Sequence, residues 1–320
     1  MISRRDFASR ASLAVAGTGL AALAATTSQA APVTSSALAP TPALPFAGEW
    51  TASGSLRRAG GTLNFAVVGE AKAGVPPVIL LHKLGGWLSD WRFVAPLLAQ
   101  GRQVIAFDLP GHGGSRWDGA APYIQTLGET AALLVGAFDE MGFDKVDLIG
   151  TSLGGCLSVP LAAFWPERVR SLALVSCALG GRKTLDEIRT GIDEKQTDLF
   201  DANGNPVPTP PELIEKIFGI VHPAKINAEG ILSRRAAGKW IQPSERGVGM
   251  TDIAGTLPRI AAPTLLVYGE FDKAYVKFRK GAEAALRNGR TQVVKNAGAF
   301  VMQDNPSETA RILNAFLASL

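Results

Sequence analysis

A chain of 320 residues with 47% hydrophobic content is long enough to bury a sizeable core as one large domain with an insertion. The formal net charge is only +4 and no basic block stands out beyond the N-terminus, which argues against a nucleic-acid partner. Two cysteines, Cys156 and Cys177, make no disulfide framework; in apolar surroundings they read as buried free thiols, with a single bridge between them as the alternative.

The N-terminus reads as an address. Arg4 and Arg5 followed by Phe7, a weakly apolar Ala/Gly-rich stretch over 11–25, and Ser28-Gln29-Ala30 as a small-residue cleavage site predict a twin-arginine export signal over 1–30. The export machinery is then a partner of the precursor and the destination is the periplasm or the exterior. The apolar stretch is too short and too poor in large side chains for a stable membrane anchor. Residues 31–48, rich in Pro, Ala, Ser and Thr, suit a flexible lead-in.

The globular part begins near Glu49. Residues 54–58 and 62–69 predict a hairpin turning at Gly60-Gly61. Continuous apolar runs at 78–82 and 103–108 predict strands buried on both faces of a parallel sheet; the apolar, β-branched stretch leading to Gly150, with 171–176 and 264–269, supplies further buried strands, and 291–295 a shorter one. Helical patterns lie between them, at 91–100, 123–141, after Ser152 to about Trp165, and 306–320. The alternation implies an α/β architecture, a doubly wound and mostly parallel sheet, with the core in 49–178 and 257–320. Residues 179–256 interrupt it with a polar, helical stretch, the mark of a lid that walls a cleft. Within it, Thr209-Pro210-Pro211-Glu212 fits a capping box.

Gly150-Thr151-Ser152-Leu153-Gly154 joins the end of a strand to the start of a helix and fits G-x-S-x-G. In such a turn the serine is held in a strained conformation, and side chains two residues either way would collide with backbone. The amide of Leu153, at the helix N-terminus, is then placed to receive a developing oxyanion. Neither a pair of histidines at helical spacing nor C-x-x-C is present, and Gly111-His112-Gly113-Gly114 fits no nucleotide fingerprint, so no metal or other cofactor is expected.

With the elbow, four further segments resemble the α/β-hydrolase superfamily in its lidded esterase, lactonase and C–C hydrolase branch: residues 80–86 around His82-Lys83-Leu84, 108–115 around Pro110-Gly111-His112-Gly113, Gly269-Glu270-Phe271-Asp272, and 298–306 with Asp304-Asn305-Pro306. The resemblance implies Ser152 as nucleophile, Asp272 rather than Glu270 as the acid, and Leu84 beside Leu153 as oxyanion donors. Lys83 stands where the family usually has glycine, and is a possible substrate contact. The family's histidine after the last strand is missing: the segment reads Gly298-Ala299-Phe300, and alanine moves no proton. His82 and His112 match structural histidines and His222 falls in the lid. Intact surroundings favour an engineered replacement at Ala299. The function implied is a serine hydrolase of a small-molecule carboxylic ester or lactone acting through an acyl-serine, lacking its histidine in this form. A naturally non-catalytic binding protein and a C–C bond hydrolase are the alternatives. No residue of the lid, nor Trp87 or Trp91, is assigned to substrate.

Overall fold

Nine strands form one sheet in the computed structural model, which describes residues 50–194, 200–203 and 205–320. The predicted export signal and lead-in lie outside the described residues. The strands are β1 (Ala52–Arg58), β2 (Gly61–Val68), β3 (Val78–Leu81), β4 (Val104–Phe107), β5 (Arg116–Trp117), β6 (Val146–Thr151), β7 (Val169–Val175), β8 (Thr264–Gly269) and β9 (Gly289–Val294). They run in the order β1-β2-β4-β3-β6-β7-β8-β9, with β5 paired to β2. From β4 to β9 all neighbours are parallel, whereas the β1–β2 hairpin lies antiparallel at one edge.

Every residue of β3, β4, β6 and β8 is buried, which is why β3 and β4 read as unbroken apolar runs, while the buried Asp147 of β6 is held by Arg170 and Ser171. Successive side chains enter opposite cores: Ile79 and Leu81 pack in one, Val78 and Leu80 in the other. The first core is closed by α1 (Leu127–Glu140) and α2 (Leu153–Phe164), the second by the C-terminal helix Pro306–Ala318. Between β7 and β8 the chain leaves the sheet and forms α3 (Pro211–Phe218), α4 (Pro223–Ala237) and α5 (Ile241–Met250), with shorter helical turns around them.

Three local expectations are corrected. The pattern over 91–100 yields only the turns Leu88–Trp91 and Ala95–Leu98, because Pro96 fits a helix only in its first turn. α1 starts at Leu127 rather than near Tyr123, set by a capping box between Thr126 and Glu129. The box expected at Thr209 does not form: Pro210 holds the cap position without a side-chain bond, and Thr209 Oγ1 instead accepts from Arg234 Nη1 at 2.6 Å.

Candidate active site

Ser152 sits between β6 and α2 with φ +49° and ψ −112°, a conformation L-residues rarely adopt. Close approach explains its glycine neighbours. A Cβ on Gly150 would lie 2.4 Å from Gly154 carbonyl atoms, and one on Gly154 would lie 2.5 Å from the Leu81 carbonyl oxygen. The Ser152 amide donates to Val175 O at 3.1 Å, tying the turn to β7. Leu153 opens α2, so its amide has no intrahelical acceptor.

The loop after β3 approaches the same turn, with Gly154 N donating to His82 O at 3.0 Å. His82 is fully buried; its Nε2 accepts from Leu109 N at 2.9 Å, so Nδ1 carries the proton and donates to Lys83 O at 2.7 Å. Burial holds its pKa well below the ordinary imidazole value. Lys83, Leu84, Gly85 and Gly86 make a turn closed by Gly86 N to Lys83 O at 2.9 Å, with Gly85 at φ +64°. The Lys83 side chain does not project free: Nζ donates to the buried Asp90 Oδ1 at 2.6 Å and stands 5.2 Å from the Phe300 ring centroid.

The acid side is more unusual. Asp272 is buried, and its Oδ1 accepts the amides of Ala274 at 3.0 Å and Tyr275 at 2.9 Å. Its Oδ2 is buried and makes no well-formed hydrogen bond among the described residues, although the Ser176 hydroxyl lies close enough to help hold its charge. Burial raises the Asp272 pKa against the pull of those amides. Glu270 faces elsewhere, bonded to Lys295 Nζ at 2.9 Å and Asn296 N at 3.0 Å. Ala299 is fully buried on the loop after β9, drawn to the Asp272 loop by Phe271 N donating to Ala297 O at 2.9 Å. The group that does meet Ser152 is one the sequence reading missed: Tyr275 Oη lies 3.0 Å from Ser152 Oγ. Burial pushes this phenol above its usual pKa.

Ser152, Lys83, Leu84 and Tyr275 border a cavity of about 340 Å³ whose apolar walls include Ile214, Ile217 and Phe218 of α3 and Ile226 of α4. Polar side chains also line it, among them Asn227, Arg234 and Glu245. Trp87 and Trp91 are buried elsewhere, and Trp240 packs edge-on against Trp117. None of the three histidines borders the cavity. His112 is buried 5.2 Å from His82, ring to ring, and His222 is exposed, its amide donating to Asp304. Cys156 and Cys177 are buried free thiols, and burial pushes Cys156 up to about 12.

The chain is similar to several known proteins. A stretch of 105 residues is 41% identical to a dihydrolipoyllysine-residue acetyltransferase component of the acetoin cleaving system from Pseudomonas putida; it is 33% of this chain and spans only 28% of that protein. Over 274 residues the chain is 26% identical to a 2-hydroxy-6-oxononadienedioate/2-hydroxy-6-oxononatrienedioate hydrolase from Klebsiella pneumoniae, covering 78% of this chain and 90% of that one. Among solved structures, a bacterial membrane phospholipase A superposes with a TM-score of 0.66 at 26% identity, over 83% of this chain and 86% of that one. The profile described as the alpha/beta hydrolase family matches residues 78–312. With the sheet order, the strained serine turn and the flanking loops in place, the chain belongs to the alpha/beta hydrolase family.

Proposed function

We propose that this chain is a serine hydrolase of carboxylic esters or lactones that works through an acyl-serine intermediate on Ser152. The observation that carries the reading is the strained Ser152 opening onto a largely apolar cavity of about 340 Å³ walled by the inserted helices, which act as a lid. The amides of Leu84 and Leu153 take the oxyanion, and Asp272 is the acid of a triad whose histidine position is held by Ala299. Turnover is correspondingly weak. Mass spectrometry of the protein after exposure to aryl esters and lactones tests this: an acyl adduct on Ser152, absent in Ser152→Ala, is expected, and turnover surviving in Ser152→Ala rejects the serine mechanism.

Two other readings have observations of their own. The likeness to the Klebsiella hydrolase favours C–C bond cleavage, which a vinylogous diketone substrate would reveal. The alanine at 299 favours ligand binding without turnover, which a complete lack of Ser152 adducts alongside measurable ester binding would support.

Export in the folded state is part of the proposal, resting on Arg4, Arg5 and the small-residue site at Ala30. Replacing both arginines by lysine is expected to retain the precursor inside the cell; unchanged delivery with the same processed N-terminus rules it out.

A further inference from the structure

We propose that Tyr275 is a catalytic residue of this chain, relaying the proton of Ser152 in the place of the missing histidine. The inference rests on the serine-hydrolase reading above and goes beyond it. Its ground is the 3.0 Å contact between Tyr275 Oη and Ser152 Oγ, in a cavity that both residues border. Tyr275 is held at its backbone and beside its ring. Asp272 Oδ1 accepts the Tyr275 amide, and the ring packs beside Phe218 at 6.3 Å between centroids. No histidine lines the cavity, and of the two basic side chains that do, Lys83 is engaged by Asp90 and Arg234 by Thr209.

The relay needs no phenolate, which suits a buried phenol that stays protonated at neutral pH. As Ser152 Oγ bonds to the acyl carbon, its proton passes to Tyr275 Oη, and the phenol's own proton passes to the alkoxy oxygen. The C–O bond breaks, the alcohol leaves, and Tyr275 is neutral before and after. In deacylation water attacks the acyl carbon, gives its proton to Tyr275 Oη, and the phenol proton returns to Ser152 Oγ as the acyl–oxygen bond breaks. Atoms and charge balance in both halves, with water as the only co-reactant.

The test compares the unaltered chain, Tyr275→Phe, Ser152→Ala and Ala299→His on ethyl butyrate and p-nitrophenyl butyrate, with fluorophosphonate labelling of Ser152 read by mass spectrometry. Tyr275→Phe removes one oxygen, and an unchanged thermal midpoint establishes that it folds. Its kcat on ethyl butyrate is expected to fall by about 100-fold, the lower end of general acid–base effects, with KM little changed and labelling slowed. The fall should be smaller on the p-nitrophenyl ester, whose leaving group needs no proton; a merely structural role would affect both esters alike. Tyr275→Phe retaining or raising kcat on both esters overturns the proposal. So does an unaltered chain that neither turns over nor labels while Ala299→His does both, an outcome that leaves the serine-hydrolase reading standing. Turnover unaffected by Ser152→Ala, or no labelling of Ser152 even in Ala299→His, overturns that reading and the relay with it.

Discussion

Asp272 holds Tyr275 by its backbone: one carboxylate oxygen accepts the Tyr275 amide at 2.9 Å, while the other makes no well-formed hydrogen bond among the described residues. The two oxygens are thus differently placed, and substitution separates the bond to the Tyr275 amide from the triad role proposed for the carboxylate. In the chain as it stands, Asp272→Asn keeps an acceptor for the amide and is expected to change kcat only a few-fold, whereas Asp272→Ala frees the turn and costs more. With Ala299→His in place, Asp272→Asn is expected to remove most of the restored activity, since an orienting carboxylate has been worth about 10⁴ in kcat in a related triad. Steady-state kinetics of the four variants on one aryl ester decides it.

Ala299→His is expected to raise kcat by several orders of magnitude, because losing the histidine of a related triad costs on the order of a million-fold. The phenol of Tyr275 stands at the oxygen that the new imidazole must reach. Tyr275→Phe should accordingly lower kcat in the chain as it stands and raise it, or leave it unchanged, beside Ala299→His. A double-mutant cycle with the same sign in both backgrounds contradicts this competition.

The inserted helices are anchored to the core by a buried ion pair between Arg92 and Glu229 of α4, with Gln303 Nε2 also donating to Glu229 at 3.3 Å. Removing one member of such a pair leaves a buried charge uncompensated. Glu229→Ala should cost about 3–5 kcal/mol and hasten proteolysis within α3–α5. Denaturant unfolding and limited digestion measure both effects.

Two buried groups contribute to acid sensitivity with opposite sign, His112 in the same direction as His82 beside it. His112, fully buried, has its pKa lowered by burial to about 4, so the unfolded chain binds the extra proton first and stability falls as pH drops from about 6.5 towards 4. Asp108, raised by burial to about 6, takes up its proton earlier in the folded state, so its contribution rises as pH falls from 6 to 3.8. His112→Gln should flatten the acid loss between pH 7 and pH 4.5 by roughly 2 kcal/mol and Asp108→Asn should steepen it by a similar amount. Urea unfolding at pH 7 and pH 4.5 reads both.

The sheet and the elbow were legible because each is written locally. Buried parallel strands appear as continuous apolar runs, and the glycines around Ser152 mark where backbones nearly touch. The loop residues Lys83, Asp272 and Ala299 could be placed by resemblance, but not what they bond to. Tyr275 carries no sequence signal: it is one aromatic residue in a loop after β8, and reaches Ser152 only because the strand order β6-β7-β8 brings those two loops to one end of the sheet. Ile214, Ile217 and Phe218 have the spacing of ordinary packing residues, and it is the seating of α3 over the strand ends that makes them cavity wall. The pair Lys83–Asp90 spans seven residues that no periodicity connects.

The C-terminal end of α3 is wedged between the two loops that carry Asp272 and Ala299. Gly219, at φ +68°, leaves so little room that a Cβ would lie 1.8 Å from the Phe271 carbonyl oxygen; the Ala299 amide donates to Phe218 O at 2.9 Å, and Asp304 bonds the amides of Val221, His222 and Gly298. The insertion is thus no interchangeable cassette. A chimera joined near residues 179 and 256, bringing a foreign cap to this core, would strip both loops of their backbone partners, and a recombination that respects the site must carry the segments around 271–275 and 297–304 along with the cap. Divergence in what the cavity accepts is therefore channelled into point changes along its walls rather than wholesale replacement of the roof.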